Sequence, residues 1–232
     1  MTYRYAPPSF LEAIFGLMLQ PGETSEELLR SAPPPYPSTL LLCMLLSIFV
    51  PIFAQLYKYG QMLYDAEAIL SLFLVVIFTF LTFILLEGIF LKIFSVDFSL
   101  RQLYASAAYS IAPLLLALWL IYFFNYISTG RLSILQLILN GRLDVPDRFI
   151  HVVPIASMIA LVNALVVFLY CVRFLGQMHT VTALFLTLLS LGPFLVSVSV
   201  GIFLGELAHP GTAEIFFRVL TEPSALVAVA PT

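Results

Sequence analysis

Uncharged stretches long enough to cross a membrane dominate the pattern of apolar and polar positions along this chain. Aspartate, glutamate, lysine and arginine are absent from five stretches of at least 19 residues, namely 31–57, 68–86, 102–130, 149–172 and 174–205. A helix rises about 1.5 Å per residue, so about 20 apolar residues cover a hydrocarbon core of roughly 30 Å. The pattern predicts an all-α, polytopic membrane protein built as a bundle of five transmembrane helices.

The same pattern predicts the bounds of the spans and the organisation of the chain. We place the spans at Thr39–Tyr57, Ala66–Phe94, Leu103–Phe124, Val152–Leu175 and Val181–Leu204. We expect three regions: residues 1–37 with interfacial helices and a proline-rich lead-in, the membrane domain 38–205, and a C-terminal tail 206–232. In the third loop, the apolar run Ile134–Leu139 is too short for a span and predicts a further interfacial helix.

The first 37 residues predict two short helices. Ser9 and Glu12 have the S-x-x-E spacing of a capping box, and the apolar run that follows, which includes Phe15, stops at Pro21. This helix is too short to cross a bilayer, so we expect it in the interface; packing on the spans as ordinary core is the alternative. Thr24 and Glu27 repeat the capping spacing and predict a second helix, and the prolines of 33–37 predict a stiff, extended lead-in.

Charge excludes some functions but does not orient the chain. Charged residues make up 10% of the chain and the net charge is −3, without the basic runs typical of nucleic-acid binding. With five spans, each side of the membrane carries five cations, so positive charge predicts neither orientation. These are Arg4, Arg30, Lys92, Arg101 and Arg173 on the N-terminal side, and Lys58, Arg131, Arg142, Arg148 and Arg218 on the other.

Prolines and small residues within the spans indicate where helices bend and touch. Ser110–Pro113 and Ser190–Pro193 share the pattern S-x-x-P, in which a serine hydroxyl or a neighbouring helix could bond the carbonyl that the proline frees. Each proline is interpreted either as a gating hinge or as a static kink. Small residues at a spacing of four favour close helix packing in lipid. The clearest such face consists of Ser197, Gly201 and Gly205.

Glu87 is the strongest single-residue candidate because a carboxylate inside a span is costly and by default suggests function. The alternative is that Glu87 is merely tolerated, protonated or near water beside Lys92. The chain has no H-E-x-x-H, G-x-S-x-G or Walker motif, and its three histidines lack the spacing of metal ligands. Cys43 and Cys171 lie in predicted spans and are interpreted as packing residues. We therefore expect no catalytic residue, cofactor or metal site.

Three segments in order resemble the Yip family, the five-span membrane proteins named for Ypt/Rab-interacting members. The first is Leu19–Leu29, and the second is Phe98–Pro113, in which a short turn leads to Tyr109 and, four residues later, Pro113. The third is Phe174–His179, followed by a span that contains Pro193. The resemblance implies a five-span fold with a cytoplasmic N-terminus and an external C-terminus. It implies little chemistry.

Departures from the family pattern limit what the resemblance implies about partners. Ala108 stands where a glycine usually precedes the tyrosine, and the acidic and Tyr-Gly-Pro signatures of the eukaryotic trafficking members are absent. Binding of a Rab-type GTPase is therefore not supported. The chain resembles the prokaryotic branch, which implies the cytoplasmic (inner) membrane.

The expected function is that of a non-enzymatic accessory or scaffold subunit, which associates with other membrane proteins or with its own copies, or organises lipid. A small transporter or channel subunit that uses Glu87 and the proline-bent spans is the alternative, and an intramembrane enzyme is a more distant one. The candidate partner or packing sites are Phe15, Glu87, Tyr109, Pro113, Ser197, Gly201 and Gly205.

Overall fold

A computed structural model describes residues 8–47, 66–129 and 152–213 of the chain. Every regular element within those ranges is an α-helix, which confirms the all-α class. The helices are α1 (Phe10–Leu19), α2 (Pro21–Arg30), α3 (Pro37–Ser47), α4 (Ala66–Ile93), α5 (Leu100–Thr129), α6 (Val152–Gly176), α7 (Thr180–Leu189) and α8 (Leu191–Ala208).

Within the described residues, four apolar segments are long enough to cross a membrane, and they match four of the five predicted spans. They are Phe73–Ile93 in α4, Leu100–Leu120 in α5, Ile155–Gly176 in α6 and Thr180–Ala208 across α7 and α8. The first predicted span is described only over α3, and its remainder lies outside the described residues. The helix predicted in the third loop also lies outside them.

Local capping explains where two of the helices begin. Ser9 caps α1 as predicted: its backbone N–H donates to Glu12 Oε2 at 2.7 Å, and its hydroxyl accepts from the Glu12 N–H at 3.4 Å. Ser99 caps α5 in the same way with Gln102, at 3.0 and 3.2 Å. The capping side chains satisfy amides that have no partner within the first turn.

The predicted start of α2 is wrong by one turn. The helix begins at Pro21, which fits the first helical position because that position needs no N–H donor. Thr24, predicted as the cap, lies inside the helix and is buried against α1. A Cβ atom on Gly16 would lie 2.6 Å from Thr24 Oγ1, so the close packing of α1 on α2 requires this glycine.

The proline-rich lead-in bends between residues 31 and 36, contrary to the extended course predicted for it. Tyr36 adopts the left-handed backbone conformation, with φ at 66°. Its hydroxyl donates to the Pro8 carbonyl at 2.8 Å, and its ring packs edge-on against Phe10 at 5.6 Å. These contacts fold the segment back onto the start of α1.

The two S-x-x-P segments behave differently. Helix α5 continues through Pro113, whereas the last span is interrupted at Ser190, three residues before Pro193. In both segments the serine hydroxyl bonds the carbonyl four residues before the serine itself: Ser110 bonds Ser106 at 2.9 Å, and Ser190 bonds Leu186 at 2.9 Å. These two hydroxyls therefore bond other carbonyls than those that the prolines free, and the second predicted partner, a neighbouring helix, stays a prediction.

The chain divides into two compact units. The first consists of Met1–Met44, Ile84–Leu116 and Ser157–Pro193. Its core joins buried side chains of α1 and α2 to those of α3, α5 and α6, so the two short helices share a core with the long ones. The members include Ile14, Leu17, Leu28, Leu29, Leu40, Tyr109, Ala112, Leu115, Val167 and Cys171.

The second unit consists of Leu45–Phe83, Ala117–Ala156 and Phe194–Thr232. Within it, α4 packs on α8, and the rings of Phe83 and Phe194 meet edge-on at 6.1 Å. Trp119 Nε1 donates to Ser47 Oγ at 2.5 Å and so links α5 to α3. An indole N–H in an apolar environment needs such an acceptor.

Candidate functional site

Glu87 lies in α4, six residues before the end of the helix at Ile93, and its side chain is completely buried. Its Oε1 atom accepts a hydrogen bond of 2.7 Å from Ser190 Oγ, at the C-terminal end of α7. The expectation that Glu87 points into protein and bonds another span is confirmed. The alternative of a carboxylate in water beside Lys92 is wrong, because Lys92 is exposed while Glu87 is buried.

The Ser190 hydroxyl has two acceptors within hydrogen-bond distance. Ser190 Oγ lies 2.7 Å from Glu87 Oε1 and 2.9 Å from the Leu186 carbonyl, and both of these atoms can accept. A serine hydroxyl carries one proton. The carboxylate oxygen of Glu87 and the Leu186 carbonyl therefore compete for the single proton of the Ser190 hydroxyl. Glu87 Oε1 thus shares its donor with a backbone acceptor of α7.

Both helices that carry this pair have unused hydrogen-bonding capacity. Glu87 Oε2 and Thr187 Oγ1 are both buried and have no hydrogen-bond partner within the part of the chain that the structure describes. Thr187 precedes Ser190 by three residues, so both project from one face of α7. Leaving a buried polar atom unpaired costs about 1–3 kcal/mol. The cluster of Glu87, Thr187 and Ser190 can therefore hold a proton or pair with a further polar group.

The small-residue face packs against α4, as expected. Ser197 is fully buried, and a Cβ atom on Gly201 would clash with the Thr79 hydroxyl and lie 2.7 Å from the Val75 carbonyl oxygen. A Cβ atom on Gly205 would lie 2.6 Å from Val75 Cγ2. Such close approach of two backbones is what small residues permit between helices in lipid. This face therefore packs within the chain.

Tyr109 and Pro113 are both buried in α5. The Tyr109 hydroxyl donates to the Pro35 carbonyl at 2.7 Å, so it joins the proline-rich segment to a long helix. Pro35 has no helical partner for its carbonyl, and the phenol supplies one. Tyr109 thus acts as an anchor for the N-terminal region, while Pro113 contributes to packing.

Phe15 lies on the outer face of α1. Ala13, Ile14 and Leu17 bury one face of the helix in the core, while Leu11, Phe15 and Leu19 are 60%, 50% and 79% exposed. The three exposed residues recur every four positions, so they form one apolar ridge along the helix. One face of α1 therefore packs as core, as the alternative interpretation expected, and the interfacial location of this helix stays a prediction.

Two groups at these sites were not identified by sequence analysis. Thr187 had no distinguishing pattern, because threonine is common in apolar helices. Pro35 was interpreted only as a stiff spacer. Ser190 had been singled out by its spacing to Pro193, but its partner Glu87 lies 103 positions away in the sequence. Only the packing of α7 on α4 could reveal that pair.

No group of three or more histidine, cysteine, aspartate or glutamate residues that could hold a metal ion occurs in the described ranges 8–47, 66–129 and 152–213. Neither Cys43 nor Cys171 forms a disulfide, and Cys171 is fully buried in the core of the first unit.

Four long apolar helices, with a carboxyl group buried inside one of them, define a polytopic α-helical membrane protein. The sequence model of the Yip1 domain family matches residues 15–205, so the chain belongs to that family. The resemblance seen in the sequence is confirmed. The searches of curated proteins and of solved structures gave no match.

Proposed function

We propose that this protein is a non-enzymatic accessory or scaffold subunit that associates with other membrane proteins through helix α1. The observation that carries the proposal is the apolar ridge of Leu11, Phe15 and Leu19, which is exposed although the opposite face of the same helix is buried. A helix fixed in this way presents its ridge at a defined position, at no further ordering cost. Preorganisation of that kind favours association.

A photo-crosslinking residue at position 15 tests the proposal directly. We expect benzoylphenylalanine in place of Phe15 to yield discrete protein adducts in native membranes, identified by mass spectrometry. The matched control carries the same residue at Glu27, which is exposed on α2 outside the ridge. Adducts with lipid alone, or the same adducts from both positions, would exclude α1 as the contact surface.

A substitution on the ridge should weaken the captured complex without unfolding the chain. Phe15→Glu introduces a charge into an apolar contact, whereas Phe15→Leu keeps the ridge apolar. We expect Phe15→Glu to reduce co-purification of the crosslinked partner at least about tenfold, because desolvating a charge is costly. Equal co-purification by both variants would contradict the proposal.

We further propose five spans with a cytoplasmic N-terminus, in the prokaryotic inner membrane. Family membership supports this topology, whereas the distribution of positive charge favours neither orientation. In a variant without Cys43 and Cys171, single cysteines at Ser31 and Thr212 should react with impermeant reagents from opposite sides. Labelling of both from the same side would remove the five-span topology. Binding of a Rab-type GTPase forms no part of the proposal.

A second candidate function, a small transporter or channel subunit, is favoured by the cluster of Glu87, Thr187 and Ser190. A buried carboxyl group with a free oxygen atom, next to an interrupted span, has the elements from which intramembrane proton and ion sites are built. Proteoliposomes with an internal pH dye test this function. Proton flux that Glu87→Gln abolishes would support it, and flux no greater than that of empty liposomes would exclude proton transport.

A further inference from the structure

A polar cleft of about 1040 Å³ lies in the first unit, apart from the sites described above. Helix α2, the link between α4 and α5, and the C-terminal end of α6 form its walls. Charged groups of both signs line it. They are Glu23, Glu26 and Arg30 from α2, Asp97 from the link, and Arg173 from α6.

The ends of three spans place this cleft at the depth of lipid headgroups. The span in α4 ends at Ile93, the span in α5 begins at Leu100, and the span in α6 ends at Gly176. Each has 21 or 22 residues, and at about 1.5 Å per residue this length matches the hydrocarbon core. Asp97 lies between the first two of these ends, and Arg173 lies within the last turn of α6.

Two of the charged residues, Glu26 and Arg30, pair with each other within α2. Arg30 forms an ion pair with Glu26, and its guanidinium lies 6.0 Å from the centre of the Phe174 ring. The remaining three, Glu23, Asp97 and Arg173, are exposed and make no ion pair or side-chain hydrogen bond within the described residues. The cleft therefore offers one guanidinium and two carboxylates to a ligand.

We propose that the cleft binds the headgroup of a phospholipid with a primary ammonium group, that is, a phosphatidylethanolamine. Arg173 binds the phosphate, because the guanidinium fork matches phosphate oxygens. Glu23 and Asp97 accept hydrogen bonds from the ammonium. Ile93, Phe94 and Leu100 flank the link, are 72%, 44% and 69% exposed, and provide apolar surface for the glycerol and upper acyl chains.

The charge arrangement distinguishes this lipid from its neighbours in a membrane. Phosphatidylcholine carries the same charges, but its quaternary ammonium has no N–H to donate to Glu23 or Asp97. Phosphatidylglycerol lacks the cation and leaves both carboxylates facing an anion. A charge-assisted hydrogen bond contributes about 1.5–3 kcal/mol, so we expect retention of phosphatidylethanolamine to exceed that of the other two about tenfold.

Native mass spectrometry of the full chain in mild detergent tests the inference, with equimolar palmitoyl-oleoyl phosphatidylethanolamine, phosphatidylcholine and phosphatidylglycerol. We expect Arg173→Gln to reduce retention of the first lipid about tenfold. The double variant Glu23→Gln, Asp97→Asn should instead abolish the preference for ethanolamine over choline. Arg101→Gln is the matched control, because it removes an exposed cation outside the cleft and should change nothing.

The outcomes separate this inference from its rivals. Equal retention of the three lipids, or unchanged retention in Arg173→Gln, would overturn it. Soluble phosphoethanolamine that binds as tightly as the lipid would assign the cleft to a free metabolite instead. Each variant is compared at unchanged thermal unfolding, so misfolding cannot produce the loss. The inference goes beyond the proposed accessory function. Crosslinking at Phe15 can succeed or fail whatever the lipid experiment shows, because the two experiments probe different surfaces.

Discussion

Among the described residues, one glutamate–serine pair lies on the surface and another lies inside a span. Glu12 accepts a hydrogen bond of 2.7 Å from the backbone N–H of Ser9 at the start of α1, where both side chains are exposed. Glu87 pairs with Ser190 at the same distance, with both side chains buried. The first pair satisfies backbone amides of one helix, whereas the second joins two helices.

The surroundings of the two pairs give the loss of a partner different consequences. At the surface, water replaces a lost partner, so the protein loses only the stabilisation that the capping hydrogen bond gives to the helix. In the membrane interior no solvent replaces it, and a polar atom left alone bears its full desolvation cost. We therefore expect the buried pair to be sensitive to single changes and tolerant of joint apolar replacement, and the exposed pair to show neither property.

We expect the largest loss of stability at Gly201, where α8 packs closely on α4 and leaves no space for a side chain. Gly201→Leu forces a side chain against the Val75 carbonyl, 2.7 Å from where its Cβ atom would be. We expect the free energy of unfolding to fall by about 3 kcal/mol, the upper part of the range for overpacking, because a backbone atom cannot move aside easily. Unfolding by sodium dodecyl sulfate measures this change.

Gly192→Leu is the matched control for that substitution, since nothing lies within 4 Å of a Cβ atom there. We expect Gly192→Leu to change the free energy of unfolding by less than about 1 kcal/mol, because the substitution mainly alters helix propensity. Similar losses for the two variants would mean that close packing of α8 on α4 does not stabilise the fold.

The next effect tests the buried pair itself. Ser190→Ala leaves the Glu87 carboxyl group without its partner, and we expect a loss of about 1–2 kcal/mol in the free energy of unfolding. Adding Glu87→Leu should restore most of that loss, because both polar groups are then gone. Glu87→Leu alone should cost little, since Ser190 keeps its bond to Leu186.

The same design at the exposed pair should give the opposite result. Ser9→Ala should weaken the start of α1 by about 1 kcal/mol, measured by amide hydrogen exchange. Glu12→Leu added to it should restore nothing, because the amides of the first turn still lack acceptors. Two results would contradict this explanation: Glu12→Leu restores the stability lost in Ser9→Ala, or Glu87→Leu fails to restore the stability lost in Ser190→Ala. Either result would mean that water or lipid around the pair does not decide how it responds to substitution.

A smaller effect is expected at the anchor of the proline-rich segment. Tyr109→Phe keeps the buried ring but removes the hydrogen bond to the Pro35 carbonyl, so we expect a loss of about 1 kcal/mol. Hydrogen exchange in residues 31–40 should increase. Tyr104→Phe removes a hydroxyl that bonds the exposed Ser38, and this control should change exchange less.

The smallest effect concerns pH. The side chain and backbone of Ser9 hold the pKa of Glu12 below its usual 4.5. Because the pKa of Glu12 is lower in the folded state than in the unfolded state, its ionised carboxylate stabilises the cap above pH 4.5. This stabilisation is lost as the pH falls through the pKa of the folded state. The difference in α1 exchange between the native chain and Glu12→Gln should therefore shrink below pH 4.5. A constant difference would contradict this mechanism.

Local patterns were enough to predict several features of this protein. The length of the uncharged stretches predicted the four spans that the described residues contain, and the Ser9–Glu12 spacing predicted the cap of α1. The spacing of Ser197, Gly201 and Gly205 predicted a packing face. Each of these depends on residues within a few turns of one another. The start of α2 was wrong because two capping signals competed, and Pro21 prevailed.

The sequence by itself determined that the chain lies in a membrane, because the length and polarity of a helix decide whether lipid can surround it. It also singled out Glu87, because a carboxylate in a span is unusual. Only the tertiary structure decided that Glu87 meets Ser190, that Tyr109 holds Pro35, and that Arg173 shares a cleft with Glu23 and Asp97. These partners are far apart in the sequence, and helices that are apolar on every side carry no pattern that specifies which faces meet.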